Sequence, residues 1–376
     1  MLYWIESFFD LRLLWGPFRL LGSHLILLAV GTLAAGFVIW WLFPKYWHRC
    51  LPIDKGKILA SDGGTTSIGK PTGAGMLLSW LVLPIVLLCV PLHPSEYIIL
   101  LCLYLCMAFG YLDDKSALPW GEAKKGLLDL AVALVAAAVI YWMQGGGLWL
   151  PFVKGEIVLP AWLYIPGAAV LLWTTINATN CSDGVDGLAG TLTLFSLFAL
   201  VALLYGVVGY FPIADYLLIP HNAAGARWAI LVAIYAGALA GYLWHNAEPS
   251  RVLMGDAGSR LFGMLVGVAV LVAGNPFLII VVSPVVLVNG GTGLLKLIFL
   301  RMLRRIGFDV RPPHTLKDGE AAGQHVIIRA LHSVRFPFHD HCRKNLGWSN
   351  AQVLMRFTLL QAFLTPILFV ILIKIR

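Results

Sequence analysis

Charge is what this sequence has least of. Only 12% of its 376 residues are Asp, Glu, Lys or Arg, roughly half the share usual in soluble globular domains. That scarcity excludes a disordered chain, which combines low hydrophobicity with high net charge, and it excludes an ordinary water-facing surface. Cysteine is also sparse. The six residues Cys50, Cys89, Cys102, Cys106, Cys181 and Cys342 contain no CxxC, so no disulfide framework is expected, and Cys102 with Cys106 reads as helix packing rather than metal ligation. No GxxxxGK[ST] occurs, which leaves a P-loop ATPase without support. The apolar runs do not alternate with period two, against an outer-membrane barrel, and no repeat of fixed length is visible.

What is present is apolar: 59% of residues are hydrophobic and the mean hydropathy is +0.83. A bilayer-spanning helix needs roughly 17–25 mostly apolar residues. Ten stretches qualify, near 23–43, 73–92, 97–112, 126–143, 161–177, 187–207, 227–245, 261–274, 276–296 and 356–374. The expectation is one all-α, polytopic membrane domain over 1–376, with an enlarged segment at 297–355 between the last two spans. Residues 1–22 read as an amphipathic helix lying in the interface, and 144–160 as a turn or small hairpin.

The net charge of +8 would suit nucleic acid in a soluble protein, but in a membrane protein basic residues first report orientation. Ten spans divide the connections into two sets, and 21 of the 27 Lys and Arg residues fall on one of them. That side is read as cytoplasmic, with both termini outside, and no nucleic-acid partner is expected. Most acids share the side, so one face carries nearly all of the polar chemistry.

Three acidic clusters sit at span ends there. Asp113-Asp114 closes the third span; adjacent carboxylates repel and persist where a cation is available, although a polar helix cap is the plainer account. In NATNCSDGVDGLAG (177–190), Asn177, Asn180, Asp183 and Asp186 recur every third residue, and polar groups beside a membrane are costly without a function. Gly184 and Gly187 suggest a bend or backbone brought close to a ligand. In NAEPSRVLMGDAGS (246–259), Asp256 can present a carboxylate to a metal while backbone N–H groups face phosphate oxygens; equally, Asp256 or Ser259 could cap the eighth span. Two basic sites complement these: Lys70, in KPTGAG (70–75), and the pair His339 and His341 in PFHDH (337–341). Carboxylates, carboxamides, lysine and histidine on one face suit Mg²⁺ and phosphate chemistry.

These strings, in this order along nearly the whole chain, resemble the polyprenyl-phosphate N-acetylhexosamine-1-phosphate transferases, with NxxNxxDGxDGLA and MGDxGS the specific elements. The segment 337–357 is similar to the histidine-rich loop of the branch that handles a muramoyl-pentapeptide donor. The resemblance implies a ten-span protein of the bacterial cytoplasmic (inner) membrane whose site faces the cytoplasm. It implies Mg²⁺-dependent transfer of phospho-MurNAc-pentapeptide from UDP-MurNAc-pentapeptide to undecaprenyl phosphate, giving lipid I and UMP for peptidoglycan synthesis. Asp113, Asp114, Asp256 and His339 then match catalytic positions, with Asp256 and Asp114 as metal ligands. Lys70, Asn177, Asn180, Asp183, Asp186, Asn246 and His341 match the nucleotide-sugar site. A homodimer is an open partner. Two departures stand out: His339-Asp340-His341 occupies a position where three histidines are usual, and the lysine usual shortly after the aspartate pair has three candidates, Lys115, Lys124 and Lys125. A sister enzyme using UDP-GlcNAc is the alternative, and a secondary transporter with broken helices the remoter one. Pro284 and Gly290-Gly291-Thr292-Gly293 are breakers expected to bend the ninth span beside a lipid groove, or to serve close helix packing.

Overall fold

The computed structural model describes residues 1–3, 5, 16–54, 67–116, 118–151, 153, 155–311 and 325–374. Half of the expected interfacial helix of the N-terminus, residues 4 and 6–15, lies outside this set; within it, Gly16–Gly22 forms a 3₁₀ helix. Residues 312–324 of the expected enlarged segment are likewise outside it.

Among the described residues, ten apolar helices account for the ten expected spans. They are α1 His24–Cys50, α2 Ala74–Cys89, α3 Pro94–Lys115, α4 Glu122–Gln144, α5 Ala161–Ser182, α6 Leu188–Val208, α7 Ala224–Asn246, α8 Gly255–Val272, α9 Pro284–Arg305 and α10 Asn350–Lys374. Nine of these are long and apolar enough to cross a membrane. At 16 residues α2 is shorter, roughly 24 Å of helix. The hairpin expected within 144–160 is present: Gly147–Leu148 pairs antiparallel with Ile157–Val158, the only sheet among the described residues.

Burial orders the bundle. α8 is enclosed on all sides, its residues from Ala257 to Val272 all buried, and α7 is nearly so. α1 instead buries one narrow stripe, Leu27, Gly31, Ala35, Ile39, Phe43 and Trp47, spaced four residues apart, and turns large exposed side chains such as Leu33, Phe37 and Trp41 outward. Apolar residues all round a helix suit a membrane span. Lipid tails supply no hydrophobic drive for helix association, so close contact relies on small residues. α1 and α7 meet this way: a Cβ on Gly36 would stand 3.1 Å from the Gly237 carbonyl oxygen, and one on Gly241 would overlap the Gly36 carbonyl.

The break ahead of α9 shows how irregular backbone survives at this depth. The chain forms a short helix, Leu278–Val282, turns at Ser283, and restarts at Pro284 with a π-helical turn over Leu287–Gly291. The ninth span therefore starts later than expected and carries residues 297–305 of the segment assigned to the connection. Gln361 of α10 repairs the break: its amide donates to the Val282 carbonyl at 2.5 Å and its carbonyl accepts the Val285 N–H at 3.1 Å. Ser196 adds a bond to the Val282 carbonyl at 2.7 Å. Backbone freed inside a bilayer must be satisfied by such neighbours. Gly290 also packs against the Ala178 carbonyl of α5, so the breakers interrupt the helix ahead of α9 and serve close packing.

The alternating helices bring the polar ends of α1, α3, α5 and α7 to the starts of α2, α4, α6, α8 and α10. Tyr111 hydroxyl donates to the Cys50 carbonyl, the Asn246 side-chain oxygen accepts the Gly187 N–H, and Asn350 donates to Glu248. The Met1 amine lies at the other end, bonded to the Leu87 and Leu88 carbonyls. Gly241→Leu should force α1 from α7 and reduce unfolding stability in detergent by about 1–3 kcal/mol. Gly167→Ala, where a Cβ meets nothing, should be neutral; equal losses for both would refute the close-packed seam.

Candidate active site

The aspartate pair rides the last turn of α3, inside the helix rather than beyond it. Residues 113 and 114 point differently. Asp114 accepts two backbone N–H groups from the start of α8, Asp256 at 3.1 Å and Ala257 at 3.0 Å. Asp113 accepts the Trp120 N–H at 2.7 Å and pairs with Lys125 at 2.5 Å. Lys125, in the first turns of α4, also reaches Asp256 Oδ2 at 3.1 Å. Of the three candidate lysines, Lys125 is thus the one that joins the aspartates.

Asp256 sits in the first turn of α8 but does not cap it. Met254 precedes the helix without a side-chain cap bond, and Ser259 turns its hydroxyl back to the Gly255 carbonyl. The capping role considered for these two residues is therefore not seen, because Asp114 of α3 supplies the carboxylate that a cap would. Close backbone approach makes this feasible. Gly255 has φ +67°, and a Cβ there would lie 2.6 Å from Asp114 Oδ2 and from the Gly73 nitrogen. A Cβ on Gly110 would collide with the Asp256–Ala257 backbone. The KPTGAG segment is hydrogen-bonded to the same turn through Leu253 N–H to the Pro71 carbonyl at 2.8 Å.

Two further charges belong to this cluster, and neither lies in the motif positions singled out above. Arg260, one turn after Asp256, has one terminal nitrogen 2.6 Å from Asp129 Oδ1 and the other 3.6 Å from Asp256 Oδ2. Asp129, on α4, is fully buried. Their signal in the sequence is an acid and a base inside otherwise apolar spans, which need partners.

NATNCSDGVDG divides between helix and turn. Asn177 and Asn180 lie on α5, Asp183 follows its last residue, and Asp186 lies in the turn before Gly187, whose φ is +76°. Asn180 donates to the Ser259 hydroxyl at 2.9 Å, and Asn177 faces Asp129 at 3.5 Å while donating to the Trp173 carbonyl at 2.9 Å. Asp186 accepts the Ser250 N–H at 2.9 Å and lies 3.8 Å from Lys70, itself 3.1 Å from the Ser250 hydroxyl. Lys70 and Asp186 keep partial exposure. Asn246 is buried and bridges loops, accepting the Gly187 N–H and donating to the Val252 carbonyl.

The histidine segment docks here through His339. Its N–H and Nδ1 lie 2.8 and 3.1 Å from the Asn289 side-chain oxygen, and a Cβ on Gly184 would overlap its ring. His341 turns away, stacked on Phe338 with ring centroids 5.7 Å apart. Burial pushes the His339 imidazole down to about 4, outweighing the opposing pull of Asp340.

Among the described residues no three His, Cys, Asp or Glu side chains form a metal cage. The donor set nevertheless fits Mg²⁺, which uses one or two carboxylates and takes its remaining ligands from water and substrate phosphate. Asp113 and Asp256 already converge on one cation, the Lys125 ammonium.

This is the fold and polar cluster of a polytopic membrane transferase. The glycosyl transferase family 4 pattern matches residues 97–274, spanning the aspartate pair, the DGVDG turn and MGDAGS. Over its full length and 97% of the relative's, the chain is 42% identical to a phospho-N-acetylmuramoyl-pentapeptide-transferase of Treponema pallidum. Relatives of the same name in Desulfotalea psychrophila and Bartonella quintana are 28% identical over 91% and 82% of both chains. The chain belongs to the phospho-N-acetylmuramoyl-pentapeptide-transferase family and is a multi-pass bacterial membrane enzyme.

Because the folded protein holds His339 below the ordinary histidine value, protonation favours the undocked segment. Docking should be intact at neutral pH and weaken as pH falls from about 6.5 toward 4, read as rising protease cleavage within 325–349. Cleavage unchanged across that range would refute a neutral, buried His339.

Proposed function

We propose that this protein transfers phospho-MurNAc-pentapeptide from UDP-MurNAc-pentapeptide to undecaprenyl phosphate, giving lipid I and UMP, with Mg²⁺ as its metal. The reaction takes place at the cytoplasmic face of the bacterial inner membrane, with both chain termini outside. The observation that carries this reading is the convergence of Asp113, Asp114, Asp256 and Lys125 at one end of the bundle, in a chain aligned end to end with relatives of that name. The excess of basic residues at that end supports the orientation and attracts two anionic substrates.

Asp256 and Asp113 are the residues that would hold the metal, since their oxygens already share a cation; Asp114, which the resemblance offered as the second ligand, instead steadies Asp256 through its backbone, each of its oxygens accepting an N–H. When bound, Mg²⁺ neutralises the diphosphate. An oxygen of undecaprenyl phosphate attacks the sugar-linked phosphorus, forming one P–O bond as the P–O bond to UMP breaks. Lys125 lies where it offers its ammonium to the phosphate oxygens that gain charge. Lys70 and Asp186, both partly exposed, and Asn180 at the Ser259 end of the cluster, face the donor. His339 fixes the DGVDG turn by packing on Gly184, and Asn246 fixes it from the opposite side.

Purified protein given UDP-MurNAc-pentapeptide, undecaprenyl phosphate and Mg²⁺ should release UMP, and should release none with UDP-GlcNAc as donor. Folded protein that yields no UMP from the first donor would overturn the assignment. Asp256→Asn should lower turnover by at least about 100-fold; a near wild-type rate would remove Asp256 from the metal site.

A further inference from the structure

Two buried charges have no part in the chemistry above. Asp129 is fully buried and Arg260 is 3% exposed, and their contact at 2.6 Å lies inside the bundle, with Cys106 among its neighbours at 3.9 Å. A buried ion pair is weak evidence for stability, because desolvation offsets its attraction. A function for the pair is therefore to be sought in what else it touches. Arg260 stands one helical turn after Asp256, and its second terminal nitrogen is 3.6 Å from Asp256 Oδ2. Two carboxylates thus share one guanidinium, each on its own terminal nitrogen, and Asp129 has the short contact. Among the described residues nothing else anchors the fork: Arg260 Nε is buried without a hydrogen-bond partner. Asn177, 3.5 Å from the other Asp129 oxygen, holds Asp129 toward Arg260.

A guanidinium released from Asp129 would close on Asp256 as a charge-assisted pair, leaving a divalent ion to displace it. We infer that Asp129 is a positioning residue that restrains Arg260 from closing on Asp256 and thereby sets the divalent-cation demand of the site. The inference rests on the assignment of Asp256 as metal ligand. It concerns no group that meets substrate; Asp129 acts through Arg260 alone.

Mn²⁺ binding to the full-length protein in detergent, followed by electron paramagnetic resonance, provides a readout independent of turnover. Asp129→Asn should weaken Mn²⁺ binding by about tenfold or more, the scale expected when a full positive charge closes on the metal's own ligand. The double variant Asp129→Asn/Arg260→Gln removes restraint and competitor together, and should bind Mn²⁺ at least as tightly as the wild type. A merely structural pair would give no such rescue. Asp129→Asn with wild-type affinity, or a double variant as weak as the single one, would overturn the inference. If Asp129→Asn alone fails to fold, the double variant decides, since binding about tenfold weaker than wild type would show Arg260 to be a support rather than a competitor. Wild-type binding indifferent to Asp256→Asn would instead overturn the metal assignment, and the two failures are thereby distinguished.

Discussion

The start of α8 ends on one carboxylate of α3, where Asp114 accepts the N–H groups of Asp256 and Ala257. The first N–H groups of any helix lack partners within it, and they carry the positive end of its dipole. α8 is enclosed by protein from its third residue, Ala257, onward, and a neighbouring helix supplies the partner. A carboxylate meets both needs, but only if backbones approach closely, and Gly73, Gly110 and Gly255 are where they do. The same clasp places Asp256 beside Asp113. Concentrated negative charge follows from the way α8 is capped, and Lys125 and Arg260 are the charges that offset it.

Chemistry could sit at the bundle end because its helices outrun their apolar stretches. α3 carries its aspartates on its last turn, α5 carries Asn177 and Asn180 on its last two, and α8 carries Asp256 on its first. Side chains held on helices are fixed more firmly than those on loops, and transfer between two phosphates is mostly positioning and charge stabilisation. The loops that remain are pinned by buried polar groups such as Asn246 and Asn289.

Nine spans and the shorter apolar helix α2 were legible in the sequence, because apolar runs of bilayer length suit few structures besides a membrane helix. Their ends were less so: hydropathy stops at the first polar residue, whereas the helix continues while its backbone bonds and tertiary partners allow. The motif residues stood out because polar groups beside apolar spans are conspicuous. Partners on different helices did not, since nothing in the spacing of Lys124 and Lys125 shows which one turns toward Asp113. Asp129 and Arg260 lie 131 positions apart, and only the packing of α4 against α8 joins them. Gln361 is the same kind of case: a lone amide in an apolar run whose role depends on a backbone break in another helix.

The departure from three consecutive histidines can be judged by where each side chain goes. His339 is buried, bonded to Asn289 and pressed on Gly184, so the first position fixes the DGVDG turn. Its burial disfavours charge, and a neutral ring can pack on Gly184 without an added ion. Asp340 is one-third exposed and lies 3.8 Å from Arg343 on the same short helix. Asp340 makes neither the Asn289 nor the Gly184 contact of His339, and its carboxylate lies 4.0 Å from the His339 ring. The first histidine is held by geometry that a carboxylate could not reproduce without burying an unpaired charge.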